Sequence, residues 1–177
     1  MIDPDLLIQS VTEAAGEVFR TMLDMEVRLT GAATGDGCAK NGLISFVGIT
    51  GHWAGAGVFC CSPALATRIC ARMLGMDTDP EKPDTDEEVM DVVAEVTNMI
   101  VGNIKNGLEP VTGPLAISVP TVIHGRNFHF RNQAGQEYAN LTFTTEGETF
   151  EVRVSLAPNM GYAVGHRRIP VLGMAHF

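Results

Sequence analysis

Asp91, Glu95, Asn98 and Gly102 stand at i, i+4, i+7 and i+11 in the stretch DVVAEVTNMIVGN. At about 100° per residue, that spacing lines all four along one stripe of a helix. A carboxylate there can pair with a cation on a partner. An amide can hold a water by donating and accepting at once, yet it cannot serve as a general base. The stripe carries no hydroxyl, thiol, amine or imidazole, so it offers no nucleophile of its own. The plain alternative is a solvated helix face, where polar residues are the rule. Such a face usually also shows Lys and Arg, which are missing here. Asn is a mediocre helix former, and a Gly inside a helix costs about 1 kcal/mol relative to Ala. Gly102 therefore points to close approach of another backbone.

Several elements must position this stripe. Val89, Val92, Val93, Val96, Ile100 and Ile104 fall on the opposite arc and predict a core-facing side. The helix is expected from about 86 to about 106. Thr85 and Glu88 would form a capping box, and Asn106–Gly107 and Pro110 would end it. An opening helix is signalled by Asp3 as cap and Pro4 in the first turn. Its core face would be Leu7, Val11, Ala14, Ala15, Val18, Phe19 and Met22. A third helix, SPALATRICARMLGM, has Ser62 to cap it, Pro63 at its first position and Gly75 to stop it. The acidic, proline-punctuated DTDPEKPDTDEE reads as a surface loop.

Strands are expected near 25–32, at 43–49 and at 56–61, the last two joined by TGHWAG. LAISVPTVI and NFHF follow, separated by a turn near Gly125–Asn127. EYANLTFTTE and ETFEVRVSLA come last, joined at Gly147. The order of helix, β-run, helices and β-run predicts an α+β fold with helices packed on a largely antiparallel sheet.

Composition narrows the function classes. With 21 acidic against 12 basic residues the net charge is −9. That balance argues against nucleic acid as a partner and suits a basic or lysine-presenting protein. The longest apolar run, VGITGHWAGAGVFCC, is broken by glycines and a histidine, so no membrane span is expected. MIDPDLL lacks a signal-peptide layout, which points to the cytoplasm. Cys38, Cys60, Cys61 and Cys70 form no CxxC pair and read as buried, reduced thiols.

There is no GxSxG, HExxH or P-loop to support another enzyme class. His124 and His129 flank the expected turn and would approach each other, but two histidines without a third ligand argue poorly for zinc. Gly51, Gly55 and Gly57 do not make GxGxxG, and the methionines read mostly as gap-fillers in the core. His166–Arg168 reads as part of a solvated arm or as a small basic contact.

The stripe also spells D-x3-E-x2-N, and Pro120 follows Asn98 after 21 intervening residues. This resembles the pattern (D/S)-x3-E-x2-N-x21-P of the CheC/CheX family of chemotaxis phosphatases. EVFRTMLDMEV, TGHWAGAGVF, MLGM, NMIVGN and LAISVPTVIHGRN are similar to the CheX branch, and the likeness spans roughly residues 1–157. Residues 158–177 match nothing in the family and read as a C-terminal extension, an extended arm or a mobile tail.

The resemblance implies hydrolysis of the aspartyl phosphate of a CheY-like response regulator. Asn98 would orient the attacking water and Glu95 would dock the regulator's lysine. Asp91 and Gly102 would shape the contact, and Pro120 would support the helix. It implies no cofactor of the protein's own, with Mg2+ carried by the regulator. It also implies a homodimer built by joining sheets. Two-site members carry a second E-x2-N in the first helix; here Gln9-x3-Glu13-x2-Gly16 lacks the Asn, so one site per chain is expected. The alternative function is a non-catalytic module that binds a regulator or another signalling protein.

Overall fold

Helix α1 (Pro4–Leu23) begins where Asp3 Oδ1 accepts the Asp5 N–H at 3.0 Å, with Pro4 in the first turn. It ends at Asp24, which takes a left-handed conformation while the Met25 N–H bonds the Phe19 carbonyl at 3.0 Å. The structure, a computed structural model, describes residues 2–33, 37–76, 86–130 and 137–161. Strands β1 (Arg28–Ala33), β2 (Gly37–Gly51) and β3 (Trp53–Cys61) follow, then helices α2 (Pro63–Leu74) and α3 (Glu87–Thr112). Strands β4 (Leu115–Ile117), β5 (Thr121–Phe130), β6 (Glu137–Thr145) and β7 (Glu148–Pro158) complete the order.

The strands form one antiparallel sheet in the order β1-β6-β7-β3-β2-β4, with β5 also paired to β2. Helices α1 and α3 pack on it, α1 against β6 and β7 and α3 against β2 to β5. The α+β architecture expected from the sequence is the one observed. Period-2 alternation makes the helix-covered face: Leu141 and Phe143 of β6 and Phe150, Val152, Val154 and Leu156 of β7 are buried in the core. Phe19 of α1 stacks on Phe150 with centroids 4.4 Å apart, anchoring α1 to the sheet.

Three local expectations change. First, α3 starts at Asp86, whose side chain accepts the Val89 N–H at 3.1 Å; Thr85 lies outside the described residues. Second, α3 runs past Asn106–Gly107 and encloses Pro110. Proline removes a single donor in the final turn, and burial of Leu108 and Thr112 holds the extra length. Glu109 Oε1 then accepts both the Leu115 N–H and Lys105 Nζ at 3.1 Å, tying the helix end to β4. Those bonds, the Leu115 one first, hold its carboxyl below the usual carboxylate range.

Third, no turn occurs at Gly125–Asn127. Gly125 pairs with Gly42, Arg126 with Asn41 and Phe128 with Ala39 in one constant register, so the punctuating residues sit inside β5. His124 and His129 are therefore five residues apart on one strand, about 16 Å along it. TGHWAG is likewise mostly strand, with β3 resuming one residue after β2 ends. The turn at Gly147 falls where expected: Glu146 and Gly147 both have positive φ, as a two-residue hairpin needs.

Cys60, Cys61 and Cys70 are free and buried. Burial pushes the Cys60 thiol up to about 12 and raises Cys61 and Cys70, which leaves them protonated and inert. Among the described residues no helix is long and apolar enough to cross a membrane.

Gly57 of β3 lies tightly under Val101 of α3. A Cβ there would lie 2.4 Å from Val101 Cγ2. Gly57→Ala is expected to lower unfolding stability in urea by about 1–3 kcal/mol through overpacking. Combined with Val101→Ala, the loss should be smaller than the sum of the two single losses. Simple additivity would contradict the contact.

Candidate functional site

The ridge is created by what the other side of α3 does. Val89, Val92, Val93, Val96, Ile100, Val101 and Ile104 are buried, which fixes the helix's rotation about its axis. Asp91 and Glu95 are then exposed, and Asn98 and Gly102 half-buried. At about 1.5 Å rise per residue, Glu95 and Asn98 are separated by about 4.5 Å along the axis, and the whole ridge spans about 16 Å. No hydrogen bond or ion pair among the described residues engages the side chains of Asp91, Glu95 or Asn98. All three are free to meet a partner. The helix beneath them is held firmly: Thr97 donates to the Val93 carbonyl at 2.7 Å, and Asn103 Nδ2 reaches Glu17 Oε2 of α1 at 3.3 Å.

Gly102 is not pressed by another backbone. The nearest atom to a Cβ built there is Ile117 Cδ1 of β4, at 3.9 Å, an ordinary van der Waals distance. The expectation of a close backbone approach is therefore corrected; the tight contact of α3 with the sheet is that of the Val101 side chain on Gly57. Pro120 lies half-buried on the link between β4 and β5, three residues beyond Ile117. Ser118 clamps this link to β2: its N–H donates to the Gly48 carbonyl and its Oγ accepts the Gly48 N–H, each at 2.9 Å. The structure thus brings Asp91, Glu95, Asn98 and Gly102 onto one ridge. It places Pro120 three residues beyond the strand that flanks Gly102, just before β5.

The corresponding face of α1 does not form a second ridge. Gln9 Nε2 donates to Glu13 Oε1 at 2.8 Å, so Glu13 already has a partner, and Gly16 supplies no amide. Among the described residues no three His, Cys, Asp or Glu groups converge as a metal-ligand set.

One feature was not legible in the sequence. Beside the ridge runs an open groove of about 630 Å³ between the end of α1, the end of α2 and the first half of α3. Met22, Met73, Leu74 and Met99 give it apolar walls, and Glu87, Glu88, Asp91 and Glu95 give it acidic ones. Met22, expected on the core face of α1, is 47% exposed. Periodicity put it on the buried arc, but it lies in the last turn of α1, at the rim of the groove.

An antiparallel sheet with helices on it, and an uncommitted acid–amide ridge on the long helix, define an α+β domain that carries that ridge on its surface. Residues 43–144, well over half of the chain, match the family model for the chemotaxis phosphatase CheX, and the protein belongs to that family. It is 28% identical over 90 residues to the CheY-P phosphatase CheX of Thermotoga maritima, a match covering 51% of this chain and 56% of that protein. The chain thus spans little more than half the length of this curated relative. A CheC-like superfamily protein from Shewanella sp. PV-4 shares the fold at TM-score 0.74 and 25% identity, over 85% of this chain and 97% of that one. CheX of Borrelia burgdorferi, solved in complex with CheY, BeF3 and Mg2+, superposes at TM-score 0.71 and 25% identity, over 89% of this chain and 99% of that one.

Since a side chain fits at Gly102, Gly102→Ala is expected to raise stability by about 1 kcal/mol through helix propensity, read as a higher midpoint in urea. A lower midpoint would show that Ile117 cannot accommodate the methyl group.

Proposed function

We propose that the protein hydrolyses the aspartyl phosphate of a CheY-like response regulator, with one site per chain on the α3 ridge. The observation that carries this reading is the pair Glu95 and Asn98. They are exposed or half-exposed, uncommitted, one turn apart, and mounted on a helix whose other face is buried. Membership of the CheX family supports the reaction class. The Borrelia burgdorferi complex contains CheX, CheY, BeF3 and Mg2+ together, and BeF3 is a chemical mimic of a phosphoryl group. That is the arrangement expected if the regulator brings its own metal and this chain adds none.

An aspartyl phosphate is already activated, so its hydrolysis needs positioning and charge neutralisation more than covalent chemistry. Asn98 orients a water in line with the phosphorus, its amide donating to and accepting from that water. The water oxygen bonds to phosphorus, the bond to the aspartyl oxygen breaks, and the regulator's carboxylate departs with that electron pair. The water's proton leaves with the phosphate or to solvent. Glu95 pairs with the regulator's lysine and sets the register. Asp91 and Gly102 shape the surrounding contact, and Pro120 supports the helix through the β4–β5 link. The domain comprises residues 1–157, works in the cytoplasm, and pairs as a homodimer by joining sheets, a state supported by the family likeness. Residues 158–177 form its extension, of which those from 162 onward lie outside the described residues.

Asn98→Ala is expected to cut stimulated dephosphorylation on the order of a hundredfold, as loss of reactant positioning does, with the thermal midpoint and regulator binding retained. Full activity in that variant would sink the assignment. Glu95→Ala should raise the half-saturating regulator concentration about tenfold, with the difference shrinking as salt is added. An affinity indifferent to salt would count against the lysine pairing.

A further inference from the structure

The groove beside the ridge has walls of two kinds. Met22 at the end of α1 and Leu74 at the end of α2 are 47% and 44% exposed, large apolar side chains left uncovered at its rim. Met73 and Met99 continue the apolar lining, and methionine's unbranched chain adapts its shape to whatever occupies it. Between them stand the carboxylates of Glu87, Glu88, Asp91 and Glu95, and among the described residues no Lys or Arg lines the groove. The C-terminal ends of α1 and α2, with their partial negative charge, border the groove, as does the first turn of α3, where Glu87 and Glu88 offset the helix's partial positive charge. An occupant must therefore be cationic at its edges and apolar in its middle.

The groove is also continuous with the proposed site. Glu95 lines both, and Met99 follows Asn98 directly in the chain. A molecule that presents a phosphoryl group at Asn98 has its neighbouring surface over the groove.

We infer that this groove is the regulator-docking surface that decides which response regulator is served: Met22, Met73, Leu74 and Met99 receive large apolar side chains from one helix or loop of the regulator, and Glu87, Glu88 and Asp91 pair with the Lys or Arg flanking them. The inference rests on the regulator reading above and adds the surface that confers affinity and selectivity. A partner with an acidic edge is rejected here by like charge, which gives specificity as well as attraction.

The test uses the full chain with Met22→Asp and Leu74→Asp combined, and Met22→Leu with Leu74→Met as a conservative counterpart. Both positions are exposed, so folding is checked simply by the thermal midpoint. Decay of a phosphorylated regulator is titrated against each form, and binding is followed separately by anisotropy of the labelled regulator. In the aspartate variant the half-saturating concentration and the Kd should both rise on the order of tenfold or more, as removal of central apolar anchors does. Those increases should far exceed any change in rate at saturation, and the conservative variant should behave as wild type. An aspartate variant that binds and saturates as wild type does overturns the groove while leaving the phosphatase reading intact. A wild-type chain that binds a regulator without hastening its decay sinks the phosphatase reading instead. The anisotropy comparison then still judges the groove. A chain that binds no member of a regulator panel overturns both.

Discussion

Everything at the proposed site depends on how α3 is seated on the sheet. Gly57 leaves out a side chain that would collide with the helix, and Val101 fills the space so created. Rotation about the helix axis is then fixed by the buried valines and isoleucines, so the ridge has one orientation relative to solvent. A ridge of short polar side chains has little reach of its own. Its accuracy is borrowed from the packing beneath, as a positioning role requires. The hydrogen bonds of Asn103 with Glu17 and of Glu109 with Leu115 secure the same helix at its flank and its end.

The chemistry assigned to the ridge is consistent with what it lacks. It carries no hydroxyl, thiol, amine or imidazole, and its central polar group is an amide. For most hydrolyses that would be disabling. When the partner supplies an activated acyl phosphate with its own metal and lysine, what is left to add is an oriented water and a docking contact. The acidic, apolar-rimmed groove then supplies the selectivity that such a minimal site cannot.

Much of this was legible in the sequence where periodicity or a cap had a single physical meaning. The two faces of α3, the Asp3 and Ser62 caps, the Gly147 hairpin and the ridge residues were all readable. What was not legible depended on tertiary contacts. Pro110 normally ends a helix, but Leu108 and Thr112 find burial beyond Gly107 and carry it on. Gly125 signals a turn, but β2 is long enough to pair with it. Gly102 and Gly57 look alike in the sequence; only the register of helix on sheet tells which one is crowded. Met22 obeys the core period of α1 yet is 47% exposed, because periodicity gives a direction and not what lies there.

The central claim is that docking on this ridge hastens loss of the phosphoryl group, and it is tested most directly with the wild-type chain. A phosphorylated regulator shown to bind it is followed for release of phosphate with the chain at a small fraction of the regulator concentration. The account predicts many turnovers per chain, with a rate proportional to the chain added. A bound regulator that loses its phosphate only at its own unaided rate would contradict it and leave the protein a binding module.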